Sequence, residues 1–166
     1  QSHSPTETAA WRLDRSGRIL ASRSEVTGRT EERLVARQFH FRRQLDGIPV
    51  HGSRASIEIR AAGVSRGSSV RSWTPAEEAG PVVGMQPMGW CLERWWRDEG
   101  PPDPRRVSRG ELVWAPARAA DGAVRLVPAW CFRMTGANAT GRAVGEWVEL
   151  ILDARTGRGM EAEVLP

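Results

Sequence analysis

The chain has 166 residues, 40% of them hydrophobic and eight of them tryptophan, so it can bury a core without a metal or a disulfide scaffold. Its 24 basic residues are all arginine, and with 20 acidic residues they give a net charge of +4. Because the arginines are scattered along the sequence, the charge does not indicate a nucleic-acid-binding protein. The 17 glycines and 11 prolines predict a strand-rich fold with many turns.

The first half is predicted to consist mainly of strands. Phe39 and Phe41 alternate with His40 and Arg42, the period of a half-buried strand, and Asp46-Gly47 is a strong hairpin turn signal. In chain order, we expect strands at 11–14 and 18–22 joined by a turn at 15–17, then a short helix at 30–36 and a strand at 38–45. After the Asp46-Gly47 turn, we expect strands at 48–50 and 55–59, a loop at 63–69 and a strand at 69–73.

The second half carries the best helix signal. Met88, Cys91, Leu92 and Trp95 recur at the spacing of one helical face, and prolines and glycines bound the segment on both sides. We expect this face to pack on a sheet that contains Val127, Trp130 and Leu150. The sheet strands are predicted at 111–118 and 124–134, joined by a turn at 121–122, and at 147–152.

The two halves share an order of features: a hairpin around Asp-Gly, a proline in its second arm, Pro49 or Pro128, and an alternating strand that ends near a glycine. Residues 56–63 match residues 148–157 in pattern, although their identity is low. The sequence therefore predicts two related units, at 1–74 and 87–166, with a connector at 75–86 that is rich in proline and glycine.

Two stretches resemble known extracytoplasmic families. Asp46-Gly47-Ile48-Pro49-Val50, with its neighbours at 44–53, resembles a segment of thermolysin-type propeptides and PepSY-related domains. The stretch at 125–130, followed by a strand that closes at 153–157 with an Asp-Ala-x-Thr-Gly ending, is similar to PepSY units and to YycI/YycH-type regulators of a sensor histidine kinase. This resemblance implies an α+β fold in which each unit is a curved antiparallel sheet with a helix packed on it, and a membrane anchor upstream.

The sequence carries no metal-binding motif. It contains no H-E-x-x-H or C-x-x-C pattern, and its only histidines are His3, His40 and His51. Its G-x-S-x-G match at 63–67 falls within the loop predicted at 63–69. His40 and His51 are a candidate pair across the hairpin, but solvent-facing strand histidines explain them more simply. We therefore expect a protein that is not an enzyme and has no catalytic residues, no cofactor and no metal.

Cys91 and Cys131 are the candidates for a disulfide, because both fall on apolar segments that we expect to pack together. A bond between them would contribute about 3 to 5 kcal/mol in the chain-entropy model. The alternative is two buried thiols, since successive strand residues face opposite ways and Trp130 and Cys131 cannot both face the helix.

Trp95 and Trp96 are the candidates for partner binding. Adjacent helical residues cannot both face one sheet, so one of the two is expected at an exposed groove.

The function predicted from these observations is an extracytoplasmic binding module, anchored in the cell membrane, that modulates a membrane sensor histidine kinase of a two-component system. The alternative is a PepSY-like inhibitor or folding helper of a secreted peptidase. We expect a protein partner and no nucleic acid, and we expect contact with the membrane only through an upstream anchor. A homodimer is a further possibility that the sequence leaves open. The sequence starts at Gln1 and holds no run of about 20 apolar residues, so any anchor or signal peptide would precede it.

Overall fold

A computed structural model describes residues 9–24, 30–60, 63, 65–71, 84–101, 105–137 and 142–161. The chain forms two compact units, Gln1–Trp73 (unit 1) and Thr74–Val164 (unit 2). Within the described ranges there are seven strands and one short helix, so the protein is mostly β. Of the expected fold, an antiparallel sheet with a helix packed on it is found in unit 2, while the described residues of unit 1 form strands alone. The two related units, each with its own helix, stay a prediction.

Unit 1 contains four long strands that pair in chain order. They are β1 (Ala9–Ser24), β2 (Thr30–Leu45), β3 (Ile48–Arg60) and β4 (Ser65–Arg71), and each pairs antiparallel with the next. The predicted turn at Asp46-Gly47 is confirmed: both residues have positive φ, 49° and 80°, which matches the twist of a two-residue hairpin. The strands predicted at 38–45 and 55–59 are confirmed as parts of β2 and β3.

Three predictions in unit 1 were wrong. The turn at 15–17 does not exist, because β1 runs through it and Gly17 lies extended opposite Gln38; the irregularity in β1 is a bulge between Leu13 and Arg15. The predicted helix at 30–36 is the start of β2, where pairing with β1 satisfies the backbone hydrogen bonds and overrides the local helix signal. The loop at 63–69 is also too long as predicted, because β4 already begins at Ser65.

Unit 2 consists of helix α1 (Met88–Asp98) and strands β5 (Arg105–Arg118), β6 (Val124–Ala137) and β7 (Ala143–Asp153). The strands pair antiparallel in chain order, so β6 lies between β5 and β7. This confirms the predicted helix, the hairpin around residues 121–122 and the last strand.

Pro128 is tolerated in the middle strand because of where β7 ends. The pairing of β6 with β7 stops at Ala129 and Asp153, and the carbonyl of Pro128 accepts a hydrogen bond from the N–H of Ala154 at 3.0 Å. The N–H that proline lacks would point to this same side, where the backbone pairing of β6 with β7 has already ended. Its absence therefore removes no hydrogen bond between these strands.

The two faces of β6 carry two separate apolar clusters. On one face α1 packs through Cys91 and Trp95 on Phe132, Met134 and Leu152, with Leu92, Trp130 and Leu150 at the margin. The other face holds the second cluster, which comprises Val113, Ala115, Ala129, Cys131, Ile151 and, partly buried, Met160. The predicted packing of the helix is confirmed for Leu92, Trp95, Trp130 and Leu150.

Val127 was assigned to the wrong face. It lies an odd number of residues from Trp130, Phe132 and Met134, and strand side chains alternate between the two faces. Met88, the first residue of the predicted stripe, is 40% exposed at the start of the helix.

The predicted match between the two halves pairs segments that occupy different places. Residues 56–60 belong to β3, the strand that also holds Pro49. Residues 148–153 belong to β7, a separate strand that follows the one holding Pro128. The similarity thus rests on turn composition, and duplication stays a prediction. Most of the predicted connector, residues 75–83, lies outside the described residues.

Candidate binding surfaces

The Asp153–Gly157 segment, which carries part of the family resemblance, forms a tight turn after β7. The Oδ1 atom of Asp153 accepts hydrogen bonds from the N–H groups of Arg155 and Thr156 at 2.8 and 2.9 Å, and the carbonyl of Asp153 accepts one from Gly157 at 2.8 Å. An aspartate at the first turn position supplies this acceptor without help from another part of the chain. The motif therefore encodes turn geometry.

This turn is held against α1. Ala154 accepts a hydrogen bond from the N–H of Gln86 at 2.7 Å, and the carbonyl of Gln86 accepts one from Nε1 of Trp130 at 3.1 Å. At the other end of the helix, Oε2 of Glu99 accepts a bond from the N–H of Gly159 at 3.2 Å. The segment before the helix, the helix and the turn after β7 thus form one hydrogen-bonded assembly around the first cluster.

Trp95 and Trp96 lie mainly inside unit 2. Trp95 is only 9% exposed and belongs to the first cluster, and Trp96 is half-buried against it. Their rings meet edge to face, with centroids 5.9 Å apart. Their predicted part in partner binding stays a prediction, with Trp96 offering the more accessible ring.

The two cysteines are buried in different clusters. Cys91 lies on the helix in the first cluster and Cys131 in the second, on the opposite face of β6, and no disulfide joins them. The disulfide interpretation is therefore wrong, and the alternative of two buried thiols holds. The reason is the strand period: Trp130 takes the position that faces the helix, which turns Cys131 away.

Cys91 is held as a neutral thiol. Burial raises its pKa, the nearby Asp153 carboxylate raises the pKa further, and Arg94 opposes them by lowering it. Its Sγ lies 3.8 Å from the carbonyl oxygen of Ala154, the geometry of a weak S–H donor. A thiol with a raised pKa is a poor nucleophile, so Cys91 has the character of a core residue.

The candidate pair of histidines does not form across the hairpin. His40 lies opposite Ser56 in the register of β2 and β3, five residues away along β3 from His51. His3 lies outside the described residues.

An exposed apolar surface lies beside the helix. Val107, Met134 and Val148 are cross-strand neighbours on β5, β6 and β7, on the face that α1 partly covers, and we call them the apolar row. Met134 is 3% exposed, but its neighbours Val107 and Val148 are 38% and 44% exposed. The row thus has a buried centre with open apolar side chains on both flanks.

Met88 adds to the exposed apolar area at the start of α1. Its Sδ atom lies over Gly110, so close that a Cβ at this position would be 2.7 Å from the sulfur. A side chain larger than glycine at this position would therefore force the flexible end of Met88 to move.

Two other exposed tryptophans are each stacked by an arginine. Trp90 is 41% exposed with the guanidinium of Arg94 5.4 Å from its ring centre, and Trp147 is 54% exposed with Arg133 at the same distance. The sequence shows that the chain is rich in tryptophan, but it did not predict that Trp90 and Trp147 are exposed. For Trp90, its place outside the Cys91–Trp95 face of the helix was the available signal.

Unit 1 carries a row of four arginines that sequence reasoning missed. Arg12 pairs with Arg42, Arg42 with Arg54, and Arg54 with Arg71, so one arginine from each strand lies on the same face in one line. We call these four residues the arginine row. In the next line on this face Arg15 lies opposite His40, and the hydroxyls of Ser56 and Ser69 are hydrogen-bonded at 2.8 Å.

The expectation that the arginines are scattered is therefore wrong for this face. The four residues are far apart in sequence, and only the pairing register of the strands brings them together.

Comparison with known proteins gives a fold and no family. No protein-family model and no curated protein sequence matches the chain. The chain is similar in structure to a protein of Eubacterium rectale ATCC 33656 that is described as uncharacterized, with a TM-score of 0.53 and 12% sequence identity. The match covers 92% of this chain and 51% of that protein, so the chain spans about half its length.

Proposed function

We propose that the chain is a non-catalytic extracytoplasmic module that binds a membrane sensor histidine kinase and modulates it through protein–protein contacts. The apolar row is the observation that carries this proposal. Two valines of 38% and 44% exposure flank a buried methionine on a sheet face, a pattern typical of a contact surface with an apolar centre. The resemblance of the turn motifs to PepSY units and YycI/YycH-type regulators supports the regulatory part of this proposal.

The membrane anchor of the proposal would lie upstream of the given sequence. Among the residues that the structure describes, no helix has the length and apolar character to cross a bilayer. In this proposal the module stands outside the bilayer, and unit 2 presents its apolar row to the kinase.

The test is binding to the purified extracytoplasmic domain of the sensor kinase encoded beside the gene of this protein. The double variant V107E/V148E places two charges on the apolar row and should weaken binding at least tenfold, because burying a valine is worth about 1.5 kcal/mol or more. The matched control is V70E, at a valine of unit 1 that is 66% exposed, and should bind like the wild type.

A functional readout completes this test. Kinase autophosphorylation in proteoliposomes should change when the wild-type chain is added and should not change with V107E/V148E. No binding by the wild type, or an equal loss in V70E, would contradict the proposal. Inhibition of a neighbouring secreted peptidase by the wild type, lost in V107E/V148E, would favour the inhibitor function instead.

A further inference from the structure

We propose that the arginine face of unit 1 binds the phosphate headgroups of an anionic phospholipid surface. The face consists of the arginine row, Arg12, Arg42, Arg54 and Arg71, with Arg15 and His40 in the next line. This inference goes beyond the proposed kinase contact, which uses unit 2, and does not depend on it.

The row is costly to the folded protein by itself. Side chains directly opposite on neighbouring strands lie about 5 Å apart at Cβ, and like charges at this separation are destabilising. Three consecutive pairs of this kind occur here. Asp14 is an acidic neighbour of the row, with its carboxylate 3.8 Å from the guanidinium of Arg42. Among the described residues, no ion pair involves Arg12, Arg54 or Arg71. An external anion would remove this repulsion.

The spacing suits an array of phosphates. Neighbouring strands lie about 4.8 Å apart, so four arginines in line span about 14 Å, and the next line on the same face is about 7 Å away along the strands. Arg12, Arg54 and Arg71 are exposed, and the side chain of Arg42 retains 20% of its exposure. Guanidinium groups bind phosphate oxygens in pairs, with more geometric specificity than ammonium groups.

A lipid surface fits this face better than a nucleic acid does. Proteins that bind single strands stack bases on aromatic side chains beside the basic groups. In unit 1, Phe39 and Phe41 lie on the opposite face, since they alternate with His40 and Arg42 along β2, and Trp11 likewise precedes Arg12 on β1. A two-dimensional set of cations on a sheet face complements a two-dimensional layer of headgroups.

The experiment is sedimentation of the whole chain with vesicles in 0.15 M salt. The wild type should bind vesicles of equal parts phosphatidylglycerol and phosphatidylcholine and should not bind pure phosphatidylcholine. Each arginine at an anionic surface contributes a factor of about five, so R12Q/R54Q/R71Q should lower the partition coefficient about 100-fold. Removing the repulsion should leave this variant at least as resistant to urea as the wild type.

The matched control is R18Q/R37Q/R43Q, which removes the same charge from the other face of unit 1. Arg18 lies opposite Arg37 in the register, and Arg43 lies opposite Trp11. This variant should bind within about threefold of the wild type, because charges beyond the Debye length of about 8 Å are screened. The variant R12K/R54K/R71K, which keeps the charge, should retain binding to within about fivefold.

Four outcomes would overturn the proposal. The first is that the wild type does not bind phosphatidylglycerol vesicles, and the second is that the two glutamine variants lose binding equally. The third is that the lysine variant loses binding. The fourth is that the wild type binds a 30-nucleotide oligothymidylate or inorganic phosphate through the row but does not bind vesicles. None of these outcomes bears on the kinase contact, since that is measured with V107E/V148E.

Discussion

Replacing Gly157 with alanine places a methyl group where the turn after β7 meets α1. Gly157 has a φ of +68°, a region that other residues enter at a cost of about 1 to 2 kcal/mol. A Cβ at this position would lie 3.2 Å from Cα of Cys91, 3.3 Å from Cζ3 of Trp90 and 3.4 Å from Cδ of Arg94. The helix backbone cannot give way as a flexible side chain can, so the turn must move outward.

The expected loss follows from adding two effects. The backbone conformation costs about 1 to 2 kcal/mol and the added methyl group in a close contact about 1 to 3 kcal/mol, so we expect G157A to lower the free energy of unfolding by about 3 kcal/mol. Gly122 supplies a matched control, because it has a φ of +82° with no atom within 4 Å of its Cβ position. G122A should therefore lose only about 1 to 2 kcal/mol.

The assay is urea unfolding of the whole chain, followed by tryptophan fluorescence and by circular dichroism for the wild type and both variants. The difference between G157A and G122A measures the packing of the turn on the helix, since both replacements share the backbone cost. If G157A lost no more stability than G122A, the turn would not be packed on α1 as described, and the account of the assembly around the first cluster would fail.

Two further predictions concern side chains of α1. W95A should lower the free energy of unfolding by about 4 kcal/mol, and W90A should lower it by less than half as much. The reason is that Trp95 is 9% exposed whereas Trp90 is 41% exposed. Equal losses of the two variants in urea unfolding would contradict this. In a C131A background, the folded protein should lose stability as pH rises above the ordinary thiol pKa of about 8.5, because the raised pKa of Cys91 favours its thiolate in the unfolded chain. An identical pH dependence in C91A/C131A would refute that cause.

The sequence predicted those elements whose signals are local. The alternation of Phe39 and Phe41 with polar neighbours gave a correct strand, and the Asp46-Gly47 turn gave a correct hairpin, because strand period and turn conformation are properties of adjacent residues. The helix around Cys91 and Trp95 was found for the same reason: its apolar face repeats at helical spacing, and this face is the one that is buried.

Features that depend on pairing between distant strands could not be predicted. Residues 30–36 form a strand because β1 lies beside them, and nothing in their own sequence reports this neighbour. The arginine row requires the register of three strand pairs, and a shift of one residue in any pair would move an arginine to the other face. Alternate residues of β6 face opposite sides of the sheet, so Trp130 and Cys131 could not both face the helix that carries Cys91. Only the structure shows that Trp130 is the one that faces it.

The position of strand β6 between two apolar clusters has a consequence for how unit 2 folds. It carries apolar side chains on both faces, and during synthesis β5 is available to pair with it before β7 is. Until β7 pairs, one edge of β6 offers unpaired N–H and C=O groups beside Phe132, Met134 and Cys131, a combination that templates pairing with other chains. Variants that delay or weaken β7 should therefore accumulate as aggregates rather than as soluble unfolded protein.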